Sequence, residues 1–488
     1  MSTSFFADLL HSIATRGRAL LHRAQRSHDE SSPEGIVTLC EELLSRRGEA
    51  SGVALAREVL THFAQLDSAA RLTFFEAIAL RFGPNRDRLT AAVEAWRQDP
   101  TSQAALELSA AVEPRRQELF RRLNLAPGGT ALLVEMRRQL LEVSKGRDDL
   151  APIDADFAHL FASWFNRGFL LMRRIDWSTS ASILEKIVRY EAVHAIDSWD
   201  DLRSRIDPPD RRCYAFFHPA LVDEPLIFVQ VALTRGTPEA IGPILAKERS
   251  VLGLEKANTA TFYSISNCQR GLVGISFGHF LIKQVAEEIS REHPNLSHFV
   301  TLSPMPGFAT WLARERAAEH SDLLRAEDRA ALEALDAPGW HADPAQQRTL
   351  REPLMRAAAA YLVTAREDNG TPIDPVARFH LGNGAQLERI NWLADTLPKG
   401  LRQSHGLMAN YLYDLGQIER NHEAYVEHHT VLASGPVKRL ARTSTHGTQP
   451  SPGTTQPGPG TTQPGPGTTQ PGESRAANDA ERLRPAAP

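Results

Sequence analysis

Three stretches of this sequence carry hydroxyl, imidazole and glycine residues in arrangements that suit chemistry. In the first, 259–293, a β-branched run ending near Ser264 and Ser266 leads into a loop holding Gly271, Gly274 and Gly278. An amphipathic stretch follows, with Leu281, Val285 and Ile289 on one helical face and Pro294 as its stop. Strand, glycine loop and helix together would present backbone amides and the positive end of a helix dipole to a pyrophosphate. The loop fits neither GxxxxGK[ST] nor a strict GxGxxG, so a tight structural turn explains these glycines equally well. In the second, 299–312, a strand ends at Ser303 and is broken by Pro304, Pro306 and Gly307. That sets a hydroxyl at the carboxyl end of a strand, where α/β sheets place ligands, although a plain strand terminator reads the same way. No GxSxG elbow surrounds this serine, which argues against an α/β-hydrolase. In the third, 374–395, His380 stands among Val376, Phe379 and Leu381, ahead of a turn at Gly382, Asn383 and Gly384. Imidazole exchanges protons near neutral pH, yet a histidine in apolar company is more often a hydrogen-bonded core residue. Tyr411 and Tyr413 read as packing rings, and His428 with His429 lacks an HExxH frame for zinc.

Helices and strands must position these groups. Residues 1–167 show apolar residues at three- and four-residue spacing, as in Val53, Leu55, Val59, Leu60 and Phe63, punctuated by Pro33, Gly48, Pro84, Pro100 and Pro127. This predicts an all-α bundle, with a loop over 147–156 and a last helix around Phe157–Trp164. From 168 to about 440 the texture predicts a mixed domain. Strands are expected at 213–217, 226–233, 259–266 and 299–303, and helices at 278–292, 311–336 and 347–365. Residues 441–488 hold a Thr-Thr-Gln-Pro-Gly repeat of period seven with no apolar seam, which predicts a disordered tail.

The whole chain has 488 residues, 42% of them hydrophobic, and a formal charge of −4 from 55 basic and 59 acidic residues. Such a balance offers no global case for a nucleic-acid or anionic-membrane partner. Arginine outnumbers lysine 48 to 7, which fits a GC-rich bacterial gene better than a binding surface. Cys40, Cys213 and Cys268 are odd in number and far apart, so no disulfide framework is expected and a reducing cytoplasm is the working compartment. No apolar run reaches the roughly 18–20 residues of a membrane span. The Arg-rich stretch 1–27 has a presequence-like composition, but helical patterning continuing beyond it favours a first surface helix.

Taken in order, these stretches resemble malonyl-CoA decarboxylases. The resemblance is carried by Trp164–Leu170, Ala192–His194, Arg211–Tyr214, Ser264–Ile275, Leu302–Phe308, Pro375–Ala385, Arg389–Trp392 and Gly406–Tyr411. It implies a helical N-terminal domain followed by a GNAT-like α/β catalytic domain, hence an α+β multidomain chain. It further implies conversion of malonyl-CoA to acetyl-CoA and carbon dioxide without a metal or organic cofactor. By the same resemblance Ser303 and His380 are the catalytic pair. Ser264, Gly271, Val273, Gly274, Ile275, Ser276, Phe277, Gly278, His279 and Tyr413 then contact substrate. Where some relatives carry a glutamate, this chain has Ser276. The resemblance also implies a homo-oligomer, specifically a tetramer, packed through residues 1–167. The rival expectations are an acyl-CoA transferase on the same fold and a CoA-binding regulator without turnover.

Overall fold

Capping side chains and apolar stripes set the helices of the N-terminal layer. The computed structural model describes residues 31–45, 48–275 and 281–445. The stretch 1–27, the loop residues Ser276, Phe277, Gly278 and His279, and the repeat tail beyond 445 fall outside the described residues. Helices α1 (Pro33–Ser45), α2 (Glu49–Gln65), α3 (Ser68–Arg81), α4 (Arg86–Gln98), α5 (Ser102–Val112), α6 (Arg115–Leu123), α7 (Gly129–Val143) and α8 (Ala151–Trp164) follow in sequence. Asp67, Asn85 and Thr101 each accept a backbone N–H in the first turn of α3, α4 and α5, which satisfies amides that have no partner within the helix. Phe63, Phe74 and Phe75 pack edge to face, and Phe120 stacks on Phe157 with centroids 4.1 Å apart. Helix α8 begins at Ala151, with Pro152 in its first turn, so part of the expected 147–156 loop is helical. A proline there loses no hydrogen bond, because first-turn amides lack an intrahelical acceptor.

An eight-stranded mixed sheet follows. Its strands are β1 (Leu171–Arg174), β2 (Arg211–Phe217), β3 (Pro225–Thr234), β4 (Thr259–Asn267), β5 (His298–Thr301), β6 (Ser303–Pro304), β7 (Gln386–Asn391) and β8 (Met408–Leu412). They run in the order β1-β2-β3-β4-β5-β8-β6, with β7 paired to β8. Strands β1 to β4 form an antiparallel meander, β4 and β5 are parallel, and β8 is antiparallel to its neighbours. The four stretches expected as strands are β2, β3, β4 and the β5–β6 segment, and β3 is buried along nearly its whole length.

Two expectations need correction. The 311–336 stretch is not one helix but a helix over Phe308–Ala317, a short one over Ala326–Ala331 and a 3-10 turn over Leu332–Asp336. Ser321 breaks it, since its hydroxyl accepts the amides of Leu323 and Leu324 in a local turn. Edge strand β1 and the antiparallel pair β7 and β8, joined through a helix over Pro398–Ser404, lie outside the expected strands. Asn410 in β8 hides its period by being polar and fully buried, satisfied by Asn391 and by the Thr301 carbonyl.

The parallel ladder between β4 and β5 runs only from Thr259 to Phe262, closing with Leu302 N–H on the Phe262 carbonyl. Beyond it the two strands part, and the site lies in the cleft they leave. The helical layer meets the sheet beside that cleft. Gly271 sits so close to α7 that a methyl there would overlap the Val134 carbonyl. Arg137 of α7, 3% exposed, donates to the carbonyls of Gly271 and Val273 at 2.8 Å each.

Candidate active site

Ser303 opens β6, immediately after the cleft forms, and is paired in register with Ala409 of β8. His380 lies on a helix over Pro375–Gly382. Asp374 caps this helix by accepting the Ala377 amide at 2.7 Å, and Pro375 sits in its first turn. At its far end Gly384 has a φ of +80°, and a methyl there would collide with the Ile418 carbonyl. Cap and glycine together set where the helix starts and how the chain leaves it.

This brings two residues 77 positions apart into contact. Ser303 Oγ is 2.9 Å from His380 Nε2, and both side chains are buried, at 6% and 2% exposure. The other ring nitrogen, Nδ1, is 2.8 Å from the Tyr413 hydroxyl. Ser303 Oγ is also 2.8 Å from Thr301 Oγ1, which accepts the Tyr411 backbone amide at 3.2 Å. Tyr411 stacks its ring on the imidazole, with centroids 4.5 Å apart and planes 26° off parallel. Burial pushes the His380 pKa down to about 3, so the free site holds a neutral ring rather than one poised near neutrality. Burial likewise raises the Tyr411 and Tyr413 hydroxyls well above their ordinary range.

Ser303 and His380 line a cavity of about 220 Å³ together with Val193, Phe262, Ser264 and Pro304. A neighbouring cavity of about 290 Å³ is lined by Leu272, Val273, Gly274, Ile275 and Arg378 among others. Asn267 and Phe379 belong to both walls, so the two form adjoining halves of one cleft. Of the residues expected to bind substrate, Val273, Gly274 and Ile275 line the outer half, and Ser264 lines the inner one. Gly271 lines neither and serves the contact with α7. Tyr413 contacts the imidazole from behind the cavity wall.

Several functional neighbours carried no usable signal in the sequence. Ser264 donates to Glu191 at 2.7 Å, and Glu191 also accepts from Gln230 and from the amides of Val193 and His194. Hydroxyl, carboxamide and backbone amide donors thus surround this buried group. Thr301, Asn267 and Arg137 carry no local motif, and Tyr411 has the pattern of a packing ring.

The described residues thus form a helical layer against a mixed sheet, with a buried hydroxyl–imidazole pair on the inner half of a divided cleft. Residues 168–450 match the malonyl-CoA decarboxylase C-terminal domain, and residues 82–165 match the N-terminal domain. The crystal structure of malonyl-CoA decarboxylase from Rhodopseudomonas palustris is 58% identical, with a TM-score of 0.82 over 84% of this chain and 99% of that one. The crystal structure of malonyl-CoA decarboxylase from Agrobacterium vitis is 54% identical, with a TM-score of 0.79 over 83% and 99%. A mitochondrial malonyl-CoA decarboxylase of Rattus norvegicus is 34% identical over 407 residues, 77% of this chain and 82% of the relative. This chain is a decarboxylase. It belongs to the malonyl-CoA decarboxylase family.

Proposed function

We propose that this enzyme converts malonyl-CoA to acetyl-CoA and carbon dioxide, with Ser303 holding the departing carboxylate and His380 protonating the carbon it leaves. The observation that carries this reading is the 2.9 Å contact between Ser303 Oγ and His380 Nε2 on the wall of the inner cavity. The malonyl unit occupies that half. The CoA arm runs out through the half lined by Val273, Gly274 and Ile275, where the β4 edge left open beyond Phe262 offers peptide groups to its amides. Ser303 turns the carboxylate out of the thioester plane, so the breaking C–C bond overlaps the carbonyl π system. Carbon dioxide leaves, and the electron pair becomes an enolate whose oxygen needs a donor. Asn267, on the wall shared by both halves, carries a carboxamide able to donate to it.

The α-carbon takes one proton per turnover, drawn ultimately from water. His380 is neutral in the free site, and the incoming carboxylate raises its pKa by adding a negative charge beside the ring. The substrate therefore helps load the proton it consumes. Because the thioester carbonyl accepts the electrons, the reaction as proposed requires no metal or organic cofactor. Incubation with malonyl-CoA alone tests the reading: release of acetyl-CoA and carbon dioxide is expected, and a need for an acyl acceptor overturns it.

A homo-oligomer, taken here as a tetramer, completes the proposal, with a cytoplasmic location suited to three buried free cysteines. Its support is the α4–α5 hairpin, where Val93, Trp96, Leu106 and Val112 are exposed. Light scattering at micromolar concentration should give a multiple of the chain mass, and a monomeric mass overturns this part.

A further inference from the structure

A hydrogen-bonded line runs through the site from the Tyr411 amide to Thr301 Oγ1, Ser303 Oγ, His380 Nε2, His380 Nδ1 and the Tyr413 hydroxyl. Two links have a set direction: the Tyr411 amide and the Ser303 hydroxyl both donate to Thr301 Oγ1. The links at the imidazole join groups that can each donate or accept, so the hydrogens there can be arranged in two ways. In one, Ser303 turns its hydrogen from Thr301 to Nε2, and Nδ1–H donates to Tyr413. In the other, Tyr413 donates to Nδ1, Nε2–H donates to Ser303, and Ser303 donates to Thr301. Only the second leaves a hydrogen on Nε2, the nitrogen on the cavity side.

We infer that Thr301 is a positioning residue of the reaction: by accepting the Ser303 hydrogen in the substrate-free site, it keeps His380 in the Nε2–H form until the carboxylate takes that hydrogen over. This rests on the proton-delivery role proposed above for His380. Without the Thr301 hydroxyl, the Nε2–H form of the substrate-free site would leave the buried Ser303 hydrogen with no side-chain acceptor, which is costly. Ser303 would then donate to Nε2, and the ring would rest as Nδ1–H until the carboxylate takes the Ser303 hydrogen. Thr301 is suited to this work by its confinement: it is 0% exposed, its carbonyl accepts from Asn410 at 2.7 Å, and its hydroxyl accepts the Tyr411 amide. Two β8 residues therefore fix its backbone and one lone pair, leaving the other lone pair for Ser303. It touches no substrate and acts through its neighbour.

Thr301→Val keeps the shape and removes the hydroxyl, and Thr301→Ser keeps the hydroxyl and removes the methyl. On malonyl-CoA, Thr301→Val should lower kcat about tenfold or more, within the range of lost acid–base assistance, while KM stays within about twofold. Thr301→Ser should recover most of the rate. Nitrogen-15 NMR of the His380 ring should show Thr301→Val shifted toward Nδ1–H relative to wild type. Wild-type kcat in Thr301→Val, an unmoved tautomer balance, or a serine variant as slow as the valine variant would overturn the inference. Should Thr301→Val not fold, Thr301→Ala against Thr301→Ser gives the same comparison, since both lack the methyl. A wild-type protein inert toward malonyl-CoA sinks the assigned reaction, whereas an active wild type matched by Thr301→Val sinks only the role of Thr301.

Discussion

In the helical layer Arg116 and Asp156 are buried together as an ion pair, with Gln117 donating to the same carboxylate at 2.6 Å. At the end of the sheet Thr301, Ser303, His380 and Tyr413 are buried as a line of uncharged groups. Both solve the problem of polar groups away from water, and the solutions have different consequences. An ion pair has one polarity and a deep well, so it fixes α6 against α8 and does nothing else. A neutral line of hydroxyls and imidazole can rearrange its hydrogens at the ring, so it can hand a proton along. The helical layer uses buried polarity to hold a geometry, and the sheet end uses it to stay reversible.

The sharpest break in this contrast comes from removing one charge of the pair. Arg116→Leu leaves the Asp156 carboxylate buried without its partner, a change that costs about 3–5 kcal/mol. Denaturant unfolding should register it, and a double Arg116→Leu, Asp156→Leu variant should recover much of the loss. The corresponding cut in the neutral line should spare the fold and stop the chemistry. His380→Asn should lower turnover on malonyl-CoA by roughly 10²-fold or more, with little change in Tm. Near-wild-type turnover would remove His380 from the mechanism, and a large fall in Tm would move the site into the structural class of the Arg116 pair.

Acid separates the regions a third way. His380 and His194 are both buried, with pKa values pushed down to about 3 and about 4, chiefly by desolvation. An unfolded histidine takes its proton near pH 6.5, so this stability is intact above that value. It drains as pH falls toward the folded values. Each ring then contributes a loss of about 2 kcal/mol by pH 5. Asp374 runs the other way, because burial raises it to about 6 and acid relieves the cost of its charge by about 1 kcal/mol at pH 5. His405, also pushed down to about 4 by burial, adds a loss like that of His194, so chemical denaturation at pH 7 and pH 5 should show a net fall of about 4–5 kcal/mol. His380→Asn should remove about 2 kcal/mol of that dependence, and an unchanged slope would contradict a neutral buried ring.

The same physics decided what could be read from the chain beforehand. Strands β2 to β5 were legible because they are rich in β-branched and aromatic residues, and β3, covered on both faces, is a near-continuous apolar run. Strands β7 and β8 were not, since Arg389, Asn391 and Asn410 interrupt the pattern and find partners only through tertiary contacts. Ser303 and His380 were named from the resemblance, because no local spacing joins residues 77 apart. Asp374 and Pro375, by contrast, spell out a helix start in the sequence itself, and the helix they begin delivers His380. Thr301 had no local mark, since a threonine inside a β-branched run looks like any other strand residue.

Arg137 joins the two regions and gives the finest test of their division of labour. It belongs to the helical layer, pairs through Nε with Asp154 at 2.7 Å, and donates from Nη1 to the carbonyls of Gly271 and Val273. Those carbonyls belong to the loop whose Val273, Gly274 and Ile275 line the outer cavity, about 290 Å³ in volume. A rigid ion pair is here turned toward substrate binding while staying clear of the reacting atoms. Arg137→Lys keeps a charge but cannot span two carbonyls and a carboxylate with one ammonium. The loop should loosen, raising KM for malonyl-CoA severalfold, an effect of about 1 kcal/mol, while kcat stays near wild type. A fall in kcat with KM unchanged would mean that the helical layer reaches the chemistry itself, and the division between holding and reacting would have to be redrawn at α7.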